Sequence, residues 1–185
     1  MNIEQKRYIG VNTKSITLTP NINWSEVRVS KEAKLKEIII QTTTLPDGLL
    51  DIDMKPDWIK FKYMELMDLS VFSKLKSDSY GFTKCELNNN LLSGLPETTK
   101  KLQLTNCKFT DLDFSSIKDL EELQLLFTMS KQQFISNLSN LKLKKLVVST
   151  DIMDNQNLAF VKELRKKGTA VEFHGPGADK LNKSK

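Results

Sequence analysis

The sequence is short of the residues from which most small reactive sites are built. It holds one histidine, His174, and two cysteines, Cys85 and Cys107, in 185 residues. A Ser-His-Asp or Cys-His mechanism would need His174, which stands beside Gly175-Pro-Gly177 near the chain end and reads as a surface residue. One His and two distant Cys make no zinc set, and two cysteines make no disulfide scaffold. Seven Gly and five Pro exclude collagen-like and linker sequence. No GxxxxGK[ST] or GxGxxG occurs, so no phosphate cradle is signalled. Asp51/Asp53 and Asp111/Asp113 are turn carboxylates without a partnering base. The sequence therefore offers no catalytic, cofactor or metal set, and a non-catalytic protein is expected.

Long apolar runs are also missing. No stretch approaches the roughly 18 residues of a membrane helix. The opening Met1-Asn-Ile-Glu-Gln-Lys-Arg7 lacks the apolar segment of a secretory signal. An intracellular chain, cytoplasmic or nuclear, is the expectation, with a translocated effector left open and no membrane partner. Charge of one sign is scarce too. The formal charge is +5, but from Arg165 onward six basic residues face only Glu172 and Asp179, so the remainder is almost balanced. A short basic tail usually keeps a terminus solvated, whereas a nucleic-acid surface carries a spread basic face.

What is present is a period. Pairs of apolar residues separated by one residue recur at Ile16/Leu18, Ile38/Ile40, Ile59/Phe61, Cys85/Leu87, Leu102/Leu104, Leu123/Leu125, Leu146/Val148 and Val171/Phe173. Their steps are 22, 21, 26, 17, 21, 23 and 25 residues. An apolar residue at every second position reads as a short strand with one buried face. Such a strand cannot bury that face alone, but about eight stacked in parallel make a continuous core. Three residues after each second apolar position runs a column that includes Asn90 and Cys107. Inward polar groups there can satisfy the backbone of the turn.

Three stretches carry a resemblance: Phe82-Thr-Lys-Cys-Glu-Leu-Asn-Asn-Asn-Leu-Leu92, Thr99-Lys-Lys-Leu-Gln-Leu-Thr-Asn-Cys-Lys-Phe109 and Leu120-Glu-Glu-Leu-Gln-Leu125. They resemble the leucine-rich repeat, LxxLxLxxN/CxL, over roughly residues 13–178. Leu91-Leu-Ser-Gly-Leu-Pro96 is similar to the short Leu-Pro repeats of bacterial effector-type proteins, and Leu45-Pro-Asp-Gly-Leu-Leu50 echoes it. The resemblance implies an α/β solenoid, a leucine-rich-repeat horseshoe with a parallel concave sheet and helical or irregular convex segments. One domain of about eight irregular repeats is expected over 1–178, closed by a C-terminal cap near 154–175. A flexible basic tail is expected over 179–185.

The return segments carry their own signals. Ser130-Lys-Gln-Gln133 has capping-box spacing ahead of Phe134, Ile135, Leu138 and Leu141. Asp154 or Asn155 can cap a helix bearing Leu158, Phe160, Val161 and Leu164, with Arg165, Lys166 and Lys167 in its last turn and Gly168 beyond. Residues 169–173 then read as a closing strand. The segment Ser25–Leu35 reads as helical, against the preference of its valines. Cys85 and Cys107 fall in interior columns and are expected to be buried, free thiols.

In this register the side chains flanking the core positions line the concave face. They mix Lys with Glu and are nearly neutral, which suits a protein partner better than a nucleic acid. Trp58, Lys60, Lys62, Lys84, Glu86, Lys101, Gln103 and Gln124 are the expected partner-binding residues. Trp58, Tyr63, Leu126 and Phe127 are the candidate anchors, because aromatic residues dominate interface energetics. The expected function is a protein-interaction module acting as adaptor, regulator, inhibitor or effector. The alternative is a ribonucleoprotein subunit whose basic C-terminal tail touches RNA.

Overall fold

The computed structural model describes residues 7–46, 48–51, 54–65, 75–88, 92–109, 114–127, 138 and 141–183. Its strands are β1 (Arg7–Ile9), β2 (Ser15–Leu18), β3 (Val27–Val29), β4 (Glu37–Ile40), β5 (Trp58–Lys62), β6 (Ser79–Thr83), β7 (Glu86–Leu87), β8 (Lys101–Thr105), β9 (Lys108–Phe109), β10 (Glu122–Leu126), β11 (Lys145–Ser149) and β12 (Ala170–His174). Two α-helices follow late in the chain, α1 (Asn155–Lys166) and α2 (Ala178–Lys183). Eight strands form one parallel sheet in the order β2-β4-β5-β6-β8-β10-β11-β12. Two small parallel pairs, β1-β3 and β7-β9, stand apart from it.

Alternation produces this sheet. Ile16, Ile38, Ile59, Tyr80, Leu102, Leu123, Leu146 and Val171 are register partners, 22, 21, 21, 22, 21, 23 and 25 residues apart. They and the residues two further on turn to one face, where Leu18, Ile38, Ile40, Ile59, Phe82, Leu104, Leu123, Leu125, Leu146 and Val148 are fully buried. Phe61 and Phe82 stack across β5 and β6 at 5.2 Å. Each strand finds its apolar contacts on the strand before and the strand after, and that mutual burial holds the sheet together.

The fourth strand corrects the sequence reading. It is β6, with Tyr80 and Phe82 on the core side, and not a strand at Cys85/Leu87. Tyr80 escapes an aliphatic pattern, yet it is buried because its hydroxyl is satisfied: it donates to the Leu75 carbonyl at 3.0 Å and accepts from the Ser77 amide at 3.0 Å. Leu87 is buried as expected, but from β7, which pairs with β9. Cys85 belongs with Cys107, 22 residues on, in the column after the strand. Both thiols are free and buried. They donate to the carbonyls of Phe61 and Phe82 at 3.4 and 3.3 Å, each one strand back in the sheet. Burial raises both thiol pKa values, that of Cys107 to about 11, so neither is a ready thiolate.

One further expectation is corrected. Residues 25–35 do not form a helix: a 3-10 turn at Trp24–Glu26 leads into β3, whose Val27 and Val29 are buried against the core. β-Branched residues favour the strand. Across most of the tail expected over 179–185, the chain forms the helix α2, Ala178–Lys183. Left-handed Gly175 and Gly177, at φ 107° and 79°, turn the chain back. Leu181 and Ala178 then pack against the core. Lys180 and Lys183 occupy the helix's last turn, where positive charge is favourable.

The C-terminal closure otherwise follows its signals. The Asp154 carboxylate accepts from the Asn157 amide at 2.7 Å and caps α1. Gly168 exits it at φ 94°. Val161 and Leu164 bury the helix's inner side, and β12 completes the sheet. The capping-box segment at 130–137 lies outside the described residues, as do Asp53, Asn90, Asp111 and Asp113.

Two variants test this packing. Leu104→Ala should cost about 2–5 kcal/mol in urea unfolding, because Leu104 is fully buried between two strands. Asn182→Ala should cost about 1 kcal/mol and accelerate hydrogen exchange at the Phe173 amide, which donates to the Asn182 side chain at 2.8 Å. Unchanged exchange there would show that α2 does not guard the strand.

Candidate functional site

The opposite face of the eight-stranded sheet is uncovered by any other described element, and its side chains are mostly half-buried or exposed. Its middle column, fixed by the strand register, reads Thr17, Ile39, Lys60, Gly81, Gln103, Gln124, Val147 and Glu172. Six of the expected partner-binding residues stand on this open face: Trp58, Lys60 and Lys62 on β5, Lys101 and Gln103 on β8, and Gln124 on β10. The other two do not. Lys84 follows β6 and Glu86 lies on β7, because the true fourth strand starts at Ser79.

That shift changes the surface. In place of Lys84 and Glu86, β6 contributes Ser79, Gly81 and Thr83, a low strip between the long side chains of β5 and β8. Gly81 makes room for its neighbour, since a Cβ there would sit 3.1 Å from Lys60 Cγ. At the strip's lower end, Lys55, Asp57, Trp58, Asp78, Lys100 and Lys101 surround a shallow recess of about 380 Å³. The alternation Ser79-Tyr-Gly-Phe-Thr83 was the available signal for this strand.

The charges on the face are largely matched to one another. Lys60 meets Glu37 at 2.6 Å and also lies 5.3 Å over the Trp58 ring. Lys101 meets Glu122 at 3.0 Å and Lys145 meets Glu172 at 3.0 Å. His174 reaches Glu172 at 3.1 Å. The Lys60 hydrogen bond is the chief cause that holds the Glu37 carboxyl below its usual range. Burial opposes it, and the Ser15 hydroxyl adds a weaker bond. For Glu172 the Lys145 hydrogen bond leads and His174 follows. The three Lys–Glu pairs are cross-strand and in contact with water, each worth little in stability but able to set side-chain orientation, whereas His174 and Glu172 share β12.

The rim at the C-terminal ends of the strands is more unusual. Tyr63, Lys84, Asn106 and Phe127 each stand two residues beyond the second core position of their strand, and each is left-handed, at φ 59°, 53°, 52° and 52°. The first three donate their amides to Thr83, Thr105 and Leu126 carbonyls at 3.0, 2.9 and 2.8 Å. Phe127 donates to Ser149 Oγ at 2.6 Å. Asn tolerates this conformation, whereas for other side chains it costs roughly 1–2 kcal/mol. Tyr63 and Phe127 nevertheless leave 63% and 47% of their surface in solvent. Lys84 Nζ sits 5.4 Å over the Tyr63 ring. A recess of about 440 Å³ opens beneath, lined by Tyr63, Glu65, Lys84, Glu86, Asn106 and Lys108. Tyr63 and Phe127, two of the candidate anchors, therefore point outward, and Lys84 and Glu86 take part from this rim rather than from the face. The left-handed backbone had a sequence signal only at Asn106, because glycine is absent from all four positions.

Among the described residues no group of three or more His, Cys, Asp or Glu is placed to hold a metal ion. No helix among them is long and apolar enough to cross a membrane. No family model matches this chain, and no curated protein or solved structure matches it.

The Glu37–Lys60 pair yields a measurable consequence. In Lys60→Met the Glu37 carboxyl pKa should rise toward 4.5, followed by carboxyl NMR through a pH titration. The sign follows from linkage: a depressed carboxyl stabilises the fold above its unfolded pKa, and that contribution is lost as pH falls through the folded value. An unchanged titration in the variant would mean that another group sets the Glu37 pKa.

Proposed function

We propose that this chain is a leucine-rich-repeat-type solenoid that binds a protein partner across the open, concave face of its sheet and the adjoining C-terminal rim, without catalysing a reaction. The observation that carries this reading is the pair Tyr63 and Phe127. Both are large aromatic residues held in left-handed backbone while their rings face water. Neither packing nor backbone preference accounts for an aromatic there, and an exposed aromatic anchor beside a polar face is what a partner surface can use. The matched Lys–Glu pairs support a protein over a polyanion, since a nucleic-acid surface needs unmatched positive charge. They also present donors and acceptors in fixed positions, which favours partner choice.

Affinity purification with mass spectrometry supplies the partner for the test. Tyr63→Gly and Phe127→Gly should each weaken its binding by over about 1 kcal/mol. The same changes should leave the melting temperature equal or raise it, because glycine relieves the left-handed backbone. A merely structural role predicts the reverse pattern. Undiminished binding by both variants, with loss of the complex on Lys162→Glu in α1, would place the partner on another surface and overturn the reading.

A further inference from the structure

The two edges of the eight-stranded sheet are finished in different ways. At β12 the backbone groups that face away from β11 belong to Val171 and Phe173, and side chains take them up. The Arg165 guanidinium donates to the Val171 carbonyl at 3.3 Å. The Asn182 amide accepts from the Phe173 N–H at 2.8 Å and donates to its carbonyl at 3.1 Å, as a neighbouring strand would. At β2 the carbonyls of Lys14 and Leu18 accept from the Glu37 and Gln41 amides of the next strand. Alternation then turns the N–H and C=O of Ser15 and Thr17 away from β4. Among the described residues β2 has no second strand neighbour, and no side chain plays the part of Asn182 there. An exposed edge of this kind is a template for another strand unless it is blocked by charge, proline or a covering element.

Among the described residues none of those devices interrupts β2. Ser15, Ile16, Thr17, Leu18 and Thr19 are uncharged, and Ile16, Thr17 and Thr19 favour a strand. Apolar surface also collects beside the edge. Tyr8 on β1 and Val11 in the turn before β2 are 66% and 44% exposed, and β1 is itself unpaired on one side. The only other large apolar residues so exposed among those described are Tyr63 and Phe127.

The edge is complementary to itself. Two β2 strands laid antiparallel about a two-fold axis at Thr17 pair Thr17 with Thr17, Ser15 with Thr19 and Ile16 with Leu18. Thr17 then exchanges both of its outward hydrogen bonds with its counterpart. Lys14 falls opposite Pro20, so no like charges meet. Ile16 and Leu18 continue one apolar layer from copy to copy. We propose that a second copy of this chain docks on this edge, β2 against β2, giving a two-fold dimer with one sheet running through both copies. The dimer is independent of the partner-binding reading, since it leaves the face from β4 to β12 and the rim open.

Sedimentation equilibrium over a dilution series reads the assembly, with Thr17→Pro as the first variant. The wild-type chain should reach twice its 21.2 kDa mass and dissociate on dilution. Thr17→Pro removes the outward N–H without touching the bonds to β4, and should weaken the dimer by at least about tenfold. Should that variant fail to fold, the exposed double change Tyr8→Glu/Val11→Glu tests the same surface with the same expected loss. Disulfide trapping reads the register. In Thr17→Cys the two Cα atoms would lie about 5.5 Å apart, within disulfide reach, and the dimer should be trapped on mild oxidation. In Ser15→Cys they would be roughly 14 Å apart, and trapping should fail. A monomer at every concentration, a dimer indifferent to the edge variants, or equal trapping at both cysteine positions would overturn the proposal.

Discussion

Every strand of the main sheet after β2 depends on the strand before it for partners of its backbone, and this serial dependence governs the rest of the molecule. The amides that open each strand bond to a carbonyl one step back: Lys36 and Glu37 to Lys14, Lys100 and Lys101 to Asp78, Glu121 and Glu122 to Lys100, Lys144 and Lys145 to Glu121. Beyond the strand ends the pattern persists, through the two thiols to Phe61 and Phe82 and through the left-handed amides to the strand ahead. The core is organised in the same way, each apolar pair lying between two others. Contacts of this kind run from each strand to its neighbours in the sheet, so the two edge strands differ from those between them.

The serial ladder also accounts for the left-handed rim. A residue whose amide must reach the carbonyl of the following strand, just where its own strand ends, has to reverse direction at once, and positive φ does that in one step. Tyr63, Lys84 and Asn106 meet this requirement, and Phe127 meets its counterpart by reaching the Ser149 hydroxyl, although only asparagine is suited to the conformation. Side chains at that position leave the core and stand at the edge of the open face. The backbone thus fixes where the residue points, and the sequence is free to choose what it presents there. Two aromatic rings, a lysine and an asparagine are what it presents.

The period was legible because burial repeats. Seven of the eight strands of the main sheet lie at the apolar pairs read from the sequence, and α1 lies where Asp154 and Gly168 bracket it. The fourth strand was not legible from apolar spacing, because Cys85 and Leu87 are buried for a different reason, in the column after the strand and in the β7-β9 pair. Tyr80 is a core residue only by virtue of its bonds to Leu75 and Ser77, and Gly81 carries no side chain to count. One such displacement moved Lys84 and Glu86 onto the face in the sequence reading and hid Gly81 from it. Six of the eight face residues survived because their strands were independent of that error. α2 was illegible for another reason: its polar sequence has no core signature, and its order rests on Asn182 meeting Phe173, nine residues away.

Those same contacts decide what the two ends of the array can do. At the C-terminal end, Asn182 and Arg165 spend their hydrogen bonds on backbone that would otherwise invite a strand, and Arg165 also covers the Phe173 ring at 5.3 Å. At the N-terminal end, Trp24 seals the core: it is buried, and its indole N–H donates to the Thr19 carbonyl at 2.7 Å. That bond satisfies one group of the turn but leaves those of Ser15 and Thr17 alone. Covering the apolar layer and covering the hydrogen-bonding edge are therefore separate requirements. The C-terminal cap meets both, whereas the N-terminal cap meets the first, and this difference leaves the molecule polar at one end and able to accept a strand at the other.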